Sequence, residues 1–216
     1  MSFYLMATMV VTMLSTAIAI GLYNLRHMDR ALKIVLLLLF VSLSSEILGI
    51  YAAYRFRNNI PVYNTYSIIE ATLVCLYFNE LFLVKKRKWI GNILAGIIFL
   101  SGIAYHLAYH PNNATSSIFL TIEGFLTIIF CLTYIYKTAL GVMPRRYQHI
   151  WISLVFLVYW TLTMLNWVSY DYLTIALPKH KWIIDHIIFL TSLLTNLCFT
   201  ILFIRLPYLN LRHGSA

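Results

Sequence analysis

Ser67-Ile68-Ile69-Glu70, followed by Ala71-Thr72-Leu73-Val74-Cys75-Leu76-Tyr77-Phe78, places a carboxyl group near the start of an otherwise apolar run. An acid inside a membrane-length helix is costly enough to require a reason. Leu120-Thr121-Ile122-Glu123 and Trp182-Ile183-Ile184-Asp185 repeat the arrangement. Each acid lies within a window of about 20 mainly apolar residues, the length a spanning helix needs. Three such stretches predict a repeated membrane architecture with a polar layer at one depth.

Composition agrees. Of 216 residues, 61% are hydrophobic and 11% charged, against about 25% charged in soluble domains. The net charge of +9 would point to nucleic acid in a soluble protein. Here the basic residues sit in short runs between apolar segments, as topology signals do, and no nucleic-acid partner is expected. Cys75, Cys131 and Cys198 lie mid-segment without metal-ligand spacing and read as buried apolar side chains.

Seven windows match a spanning helix: 3–23, 31–54, 62–84, 89–109, 115–136, 149–170 and 181–204. The connections between the last six (55–61, 85–88, 110–114, 137–148 and 171–180) are too short for a soluble domain, so any chemistry happens among the helices. The first window lacks a basic n-region and reads as a retained helix rather than a cleaved signal peptide. The expected fold is all-α: one seven-helix transmembrane domain over 1–213, with Gly214-Ser215-Ala216 a non-native tail. Of the 16 Lys and Arg residues, all but Arg55, Arg57, Lys179 and Lys181 fall on one side. That side is expected to be cytoplasmic, with the C-terminus in, the N-terminus out and the protein integral to the inner membrane. Tyr and Trp gather at segment ends, as interfacial belts do.

The second window ends Gly49-Ile50-Tyr51-Ala52-Ala53-Tyr54-Arg55-Phe56-Arg57-Asn58-Asn59, and the fourth ends Gly102-Ile103-Ala104-Tyr105-His106-Leu107-Ala108-Tyr109-His110-Pro111-Asn112-Asn113. Both precede an Ile-Glu helix, and the sixth and seventh windows form a more diverged third pair. The predicted architecture is one lead helix plus three parallel-repeated hairpins, 1+2+2+2.

Glu46, Glu70 and Glu123 each lie nine or so residues from the outer ends of their helices, ~13 Å deep at 1.5 Å per residue. Asp185 is expected about a turn shallower. Four acids in one layer must be protonated, paired or facing a wet cavity. Helical spacing sets Tyr63, Tyr66, Glu70 and Tyr77 on one face. Ser116, Phe119, Glu123, Thr127, Phe130 and Tyr134 share another face, and Asp185, Ser192 and Asn196 a third. Tyr159, Asn166 and Tyr170 align likewise, as do Gly102, His106 and His110. The expected site is a pocket in the outer half lined by Glu46, Glu70, Glu123, Asp185, Tyr63, Tyr66, His106, Asn166 and Asn196. The bland counterpart is that these carboxyls hydrogen-bond across helices only to fix packing.

With neither His-x-x-x-His nor Glu-x-x-His spacing inside any window, neither a metal nor another cofactor is expected. The inner half, read from Leu73, Val74, Leu76, Ile128, Ile129 and Leu132, is expected to be largely apolar, which disfavours an ion channel.

Asn58-Asn59-Ile60-Pro61-Val62-Tyr63-Asn64-Thr65-Tyr66-Ser67-Ile68-Ile69-Glu70 resembles a pattern in small, uncharacterised seven-helix membrane proteins of Bacteroidetes, a resemblance that implies no activity. A weaker resemblance, through Glu46 and Asp185, is to the seven-helix membrane terpene cyclases. It implies an acid late in the second helix and another in the seventh.

The leading expectation is a sensor or transporter binding a small or lipid-like ligand, a cation or protons. Its partners would be membrane lipids and a cytoplasmic protein at the basic inner loops. The alternative is an intramembrane acid–base enzyme acting on an isoprenoid. In that reading Glu46 and Asp185 are catalytic, and Tyr51, Phe125, Trp167 and Phe189 stabilise a cation.

Overall fold

The computed structural model describes residues 3–82, 88–109, 117–143, 146–176 and 181–213, all helices and short turns without a strand among them. Seven helices follow in order: α1 (Phe3–Tyr23), α2 (Arg30–Phe56), α3 (Ile60–Phe82), α4 (Lys88–Tyr109), α5 (Ser117–Ala139), α6 (Tyr147–Ala176) and α7 (Lys181–His213). A 3-10 turn, Leu25–His27, follows α1.

Among the described residues, α1, α2, α4, α5, α6 and α7 are long and apolar enough to cross a membrane. Their outward side chains (Leu37, Leu48, Ile97, Leu100, Leu154, Val158 and Leu165 among them) are exposed, which suits contact with lipid. This is an integral membrane protein. The helix outside that set is α3, expected to be equally apolar. It packs against both α2 and α4, and Asn64, Ser67, Glu70 and Asn79 lie buried along it. Helix neighbours rather than lipid cover those groups, which removes the pressure for an apolar surface.

Capping chemistry accounts for the boundaries of α2. Asp29 accepts a hydrogen bond from the Leu32 N–H at 2.9 Å and opens the helix. At the far end Arg57 takes a left-handed conformation, φ 54°, the C-terminal role usually filled by glycine. Asn58 Oδ1 then accepts from the Ile60 N–H at 3.0 Å, and Pro61 sits in the first turn of α3, where its missing N–H costs nothing. The α2–α3 connection is a tight three-residue turn.

The two C-terminal helices overrun their expected ends. The connection expected at 171–180 is helical through Ala176, because neither Gly nor Pro interrupts the chain before Pro178. α7 continues to His213 through Pro207.

Internal packing divides the chain into two compact units. Met28–Ser116 holds α2, α3 and α4, with α3 central. Met1–His27 with Ser117–Ala216 holds the rest, where α6 packs on α5 and α7 and α7 packs on α1. Asn24, buried at the end of α1, donates to the Phe203 carbonyl of α7 at 3.0 Å and ties those helices together. Pairs α2/α3 and α6/α7 are packed as hairpins, while α4 and α5 belong to different units.

Candidate functional site

In the α2–α4 unit, two carboxyls each meet a tyrosine. Gly49 of α2 leaves room for the Tyr63 ring: a Cβ there would lie 2.8 Å from the Tyr63 hydroxyl and 3.0 Å from Cζ. Seated over the glycine, Tyr63 donates to Glu46 Oε2 at 3.3 Å. One turn along α3, the Tyr66 hydroxyl hydrogen-bonds the Glu70 carboxyl, which is buried, 6% exposed. The antiparallel register set by Gly49 on Tyr63 brings Glu46 level with Tyr66. Glu70 is about four residues, or ~6 Å of helix rise, further along. The α2–α3 seam thus gathers two carboxyls and two phenols, a set that can hold a proton, coordinate a small cation or orient a polar head group.

Around this cluster lie residues the face reading left out. Asn64 and Ser67 are both buried, and the Ser67 hydroxyl donates to the Asn64 carbonyl at 2.9 Å. Their signal in the sequence was the polar density of Tyr63-Asn64-Thr65-Tyr66-Ser67, which a single helical face could not absorb. At the other end of α3, Asn79 donates to the Lys88 carbonyl at 3.1 Å and to Asn92 Oδ1 at 2.9 Å. Glu80 forms an ion pair with Lys88 and stands 4.0 Å from Arg30, so that end is a polar tie among α2, α3 and α4.

The other predicted site residues fall differently. Glu123, Asn166 and Asn196 are buried in the unit built from α1, α5, α6 and α7. Asp185 lies on α7 of that unit, with its side chain outside the described residues. The two acids of the enzyme reading, Glu46 and Asp185, therefore belong to different units. His106 is half-buried near the end of α4, four residues before His110, which lies outside the described residues. No group of three or more His, Cys, Asp or Glu able to hold a metal occurs among the described residues.

Of the aromatic residues named for the enzyme reading, Tyr51 and Phe125 belong to different units and are 58% and 55% exposed. One expectation is corrected: the inner half of α5 is not apolar on its buried face. Ile129 and Leu132 face outward, 52% and 50% exposed, while Thr127, Cys131, Tyr134 and Thr138 are the buried face. The linear run mixed both faces of one helix, and packing separated them.

Comparison with known families, curated proteins and solved structures returns no match. The functional reading rests on the residues themselves.

Proposed function

We propose that this membrane protein binds a small or lipid-like ligand, a cation or protons through the carboxyl–tyrosine cluster of α2 and α3, as a sensor or transporter. The observation that carries the reading is the pair of hydrogen bonds Tyr63–Glu46 and Tyr66–Glu70. Hydrocarbon-covered helices carry acids at a cost, and two acids on facing helices, each held by a phenol, form a preorganised acceptor site. Glu46 and Glu70 accept the proton or cation, and Tyr63 and Tyr66 orient the ligand.

In this reading α3 spans the membrane with the other six helices. The N-terminus lies outside and the C-terminus in the cytoplasm, as the Lys and Arg distribution favours. The helices follow as a lead plus three hairpins, in the inner membrane. The basic loops on the cytoplasmic side meet anionic headgroups and offer a surface to a cytoplasmic partner protein.

The test is mass spectrometry of what co-purifies with the wild-type protein and with a Glu46→Gln/Glu70→Gln double variant of equal thermal stability. The reading expects at least one lipid or small-molecule species, or a stabilisation by added Na⁺ or Ca²⁺, to be lost in the variant. Identical extracts and identical cation responses would overturn it.

A further inference from the structure

The seam between α5 and α6 carries polar groups along its length. Register comes from Gly124, where a Cβ would lie 2.5 Å from Met164 Cγ and 3.1 Å from Trp160 Cε3. From that point the buried face of α5 runs Glu123, Thr127, Cys131, Tyr134, Thr138. On α6, His149 and Ser153 lie within ~20° of Trp160 at 100° per residue, and so share the face turned to α5. Both are fully buried. Antiparallel register brings Thr138 level with His149 and Tyr134 level with Ser153.

Eight other hydroxyls among the described residues are satisfied by their own helix. Thr12, Thr16, Ser44, Thr65, Thr72, Thr161, Thr191 and Thr200 each donate to the carbonyl four residues back, the usual arrangement for a hydroxyl in a helix away from water. Thr138 Oγ1 and Ser153 Oγ do not; both are buried without a hydrogen-bond partner, as is Trp160 Nε1. Buried polar atoms of this kind take partners, and internal water is the usual one. Three of them lie along one seam, between a buried carboxyl at one end and a buried imidazole at the other.

We propose that the α5–α6 seam conducts protons, with internal waters linking Glu123 to His149 past Thr127, Trp160, Ser153 and Thr138. From Glu123 to Thr138 the line covers 15 residues of α5, ~22 Å, most of the ~30 Å hydrocarbon core. Successive polar groups stand ~6 to 10 Å apart along the axis, gaps that one or two waters close. A proton taken up on the Glu123 carboxylate moves by forming one O–H bond and breaking another at each water, and leaves from the His149 imidazole. Nothing is oxidised or reduced. The activity uses residues of the unit that does not hold the α2–α3 cluster and stands independently of ligand binding there.

The experiment reconstitutes the full chain in liposomes loaded with a pH-sensitive dye and drives H⁺ with a valinomycin-set K⁺ potential. Wild type is expected to carry H⁺ well above empty liposomes. Glu123→Gln should lower the rate at least tenfold. Thr138→Val and Thr127→Val, which remove a hydroxyl at nearly constant shape, should each lower it several-fold. Leu132→Ala, on the outward face of α5, should conduct as wild type. Wild-type flux equal to that of empty liposomes overturns the proposal, as does undiminished flux in Glu123→Gln and both valine variants. Either result leaves the co-purification test on Glu46 and Glu70 untouched.

Discussion

Gly49→Ala probes the geometry of the α2–α3 seam directly. The added methyl would stand 2.8 Å from the Tyr63 hydroxyl and 3.0 Å from Cζ, closer than carbon and oxygen tolerate, so the ring must move. Overpacking of this kind costs ~1–3 kcal/mol. Moving the ring also breaks the 3.3 Å bond to Glu46, and such interhelix bonds average ~0.6 kcal/mol in a membrane bundle. Alanine returns about 1 kcal/mol through its helix propensity. The balance is a net loss of roughly 0.6–2.6 kcal/mol. Gly96 is the control. A Cβ there meets nothing within 4 Å, so Gly96→Ala should gain up to ~1 kcal/mol. One substitution type thus takes opposite signs at two helix positions. Reversible unfolding in mixed SDS–detergent micelles measures both. In a Tyr63→Ala background the clash partner is gone, and Gly49→Ala should become neutral or stabilising. Gly49→Ala at or above wild-type stability, or an undiminished penalty in the Tyr63→Ala background, would refute the packing of Tyr63 on Gly49.

Further outcomes follow from single residues. Arg57→Gly relieves a left-handed non-glycine residue at the end of α2 and should stabilise the protein by ~1 kcal/mol, read as a raised unfolding midpoint. Asn79→Leu loses the bonds to the Lys88 carbonyl and Asn92, and stability should fall by ~1–3 kcal/mol. Glu80→Gln weakens a largely buried pair with Lys88 and should also cost ~1–3 kcal/mol, whereas Arg30→Gln, at a largely exposed residue 4.0 Å from Glu80, should change stability by under ~1 kcal/mol. Asn24→Ala frees the buried Phe203 carbonyl and should cost ~1–2 kcal/mol, with hydrogen exchange rising first at the end of α1 next to α7.

The membrane class, the helix order and the short connections were legible in the sequence because they depend on the length and polarity of each segment alone. Glu46, Glu70 and Glu123 were legible for the same reason: an acid in an apolar run stands out whatever surrounds it. The reading failed where it needed to know which face of a helix is covered. Ile129 and Leu132 made the inner half of α5 look apolar, although they face outward and Thr127, Tyr134 and Thr138 face α6. Helical period arranges residues on faces but does not say which face meets a neighbour, and in lipid the usual guide fails because the outward surface is as apolar as the core.

Residue order alone therefore determined an all-helical membrane chain with carboxyls set inside its helices. Tertiary structure decided which groups share a seam. Tyr63 reaches Glu46 because Gly49 leaves the space for its ring, a fact of two helices in contact that neither helix contains. α3 can be polar because α2 and α4 flank it. The hydroxyls of Thr138 and Ser153 became notable only once packing had buried them without partners. Burial and pairing belong to contacts between segments distant in sequence, and only the folded chain makes those contacts.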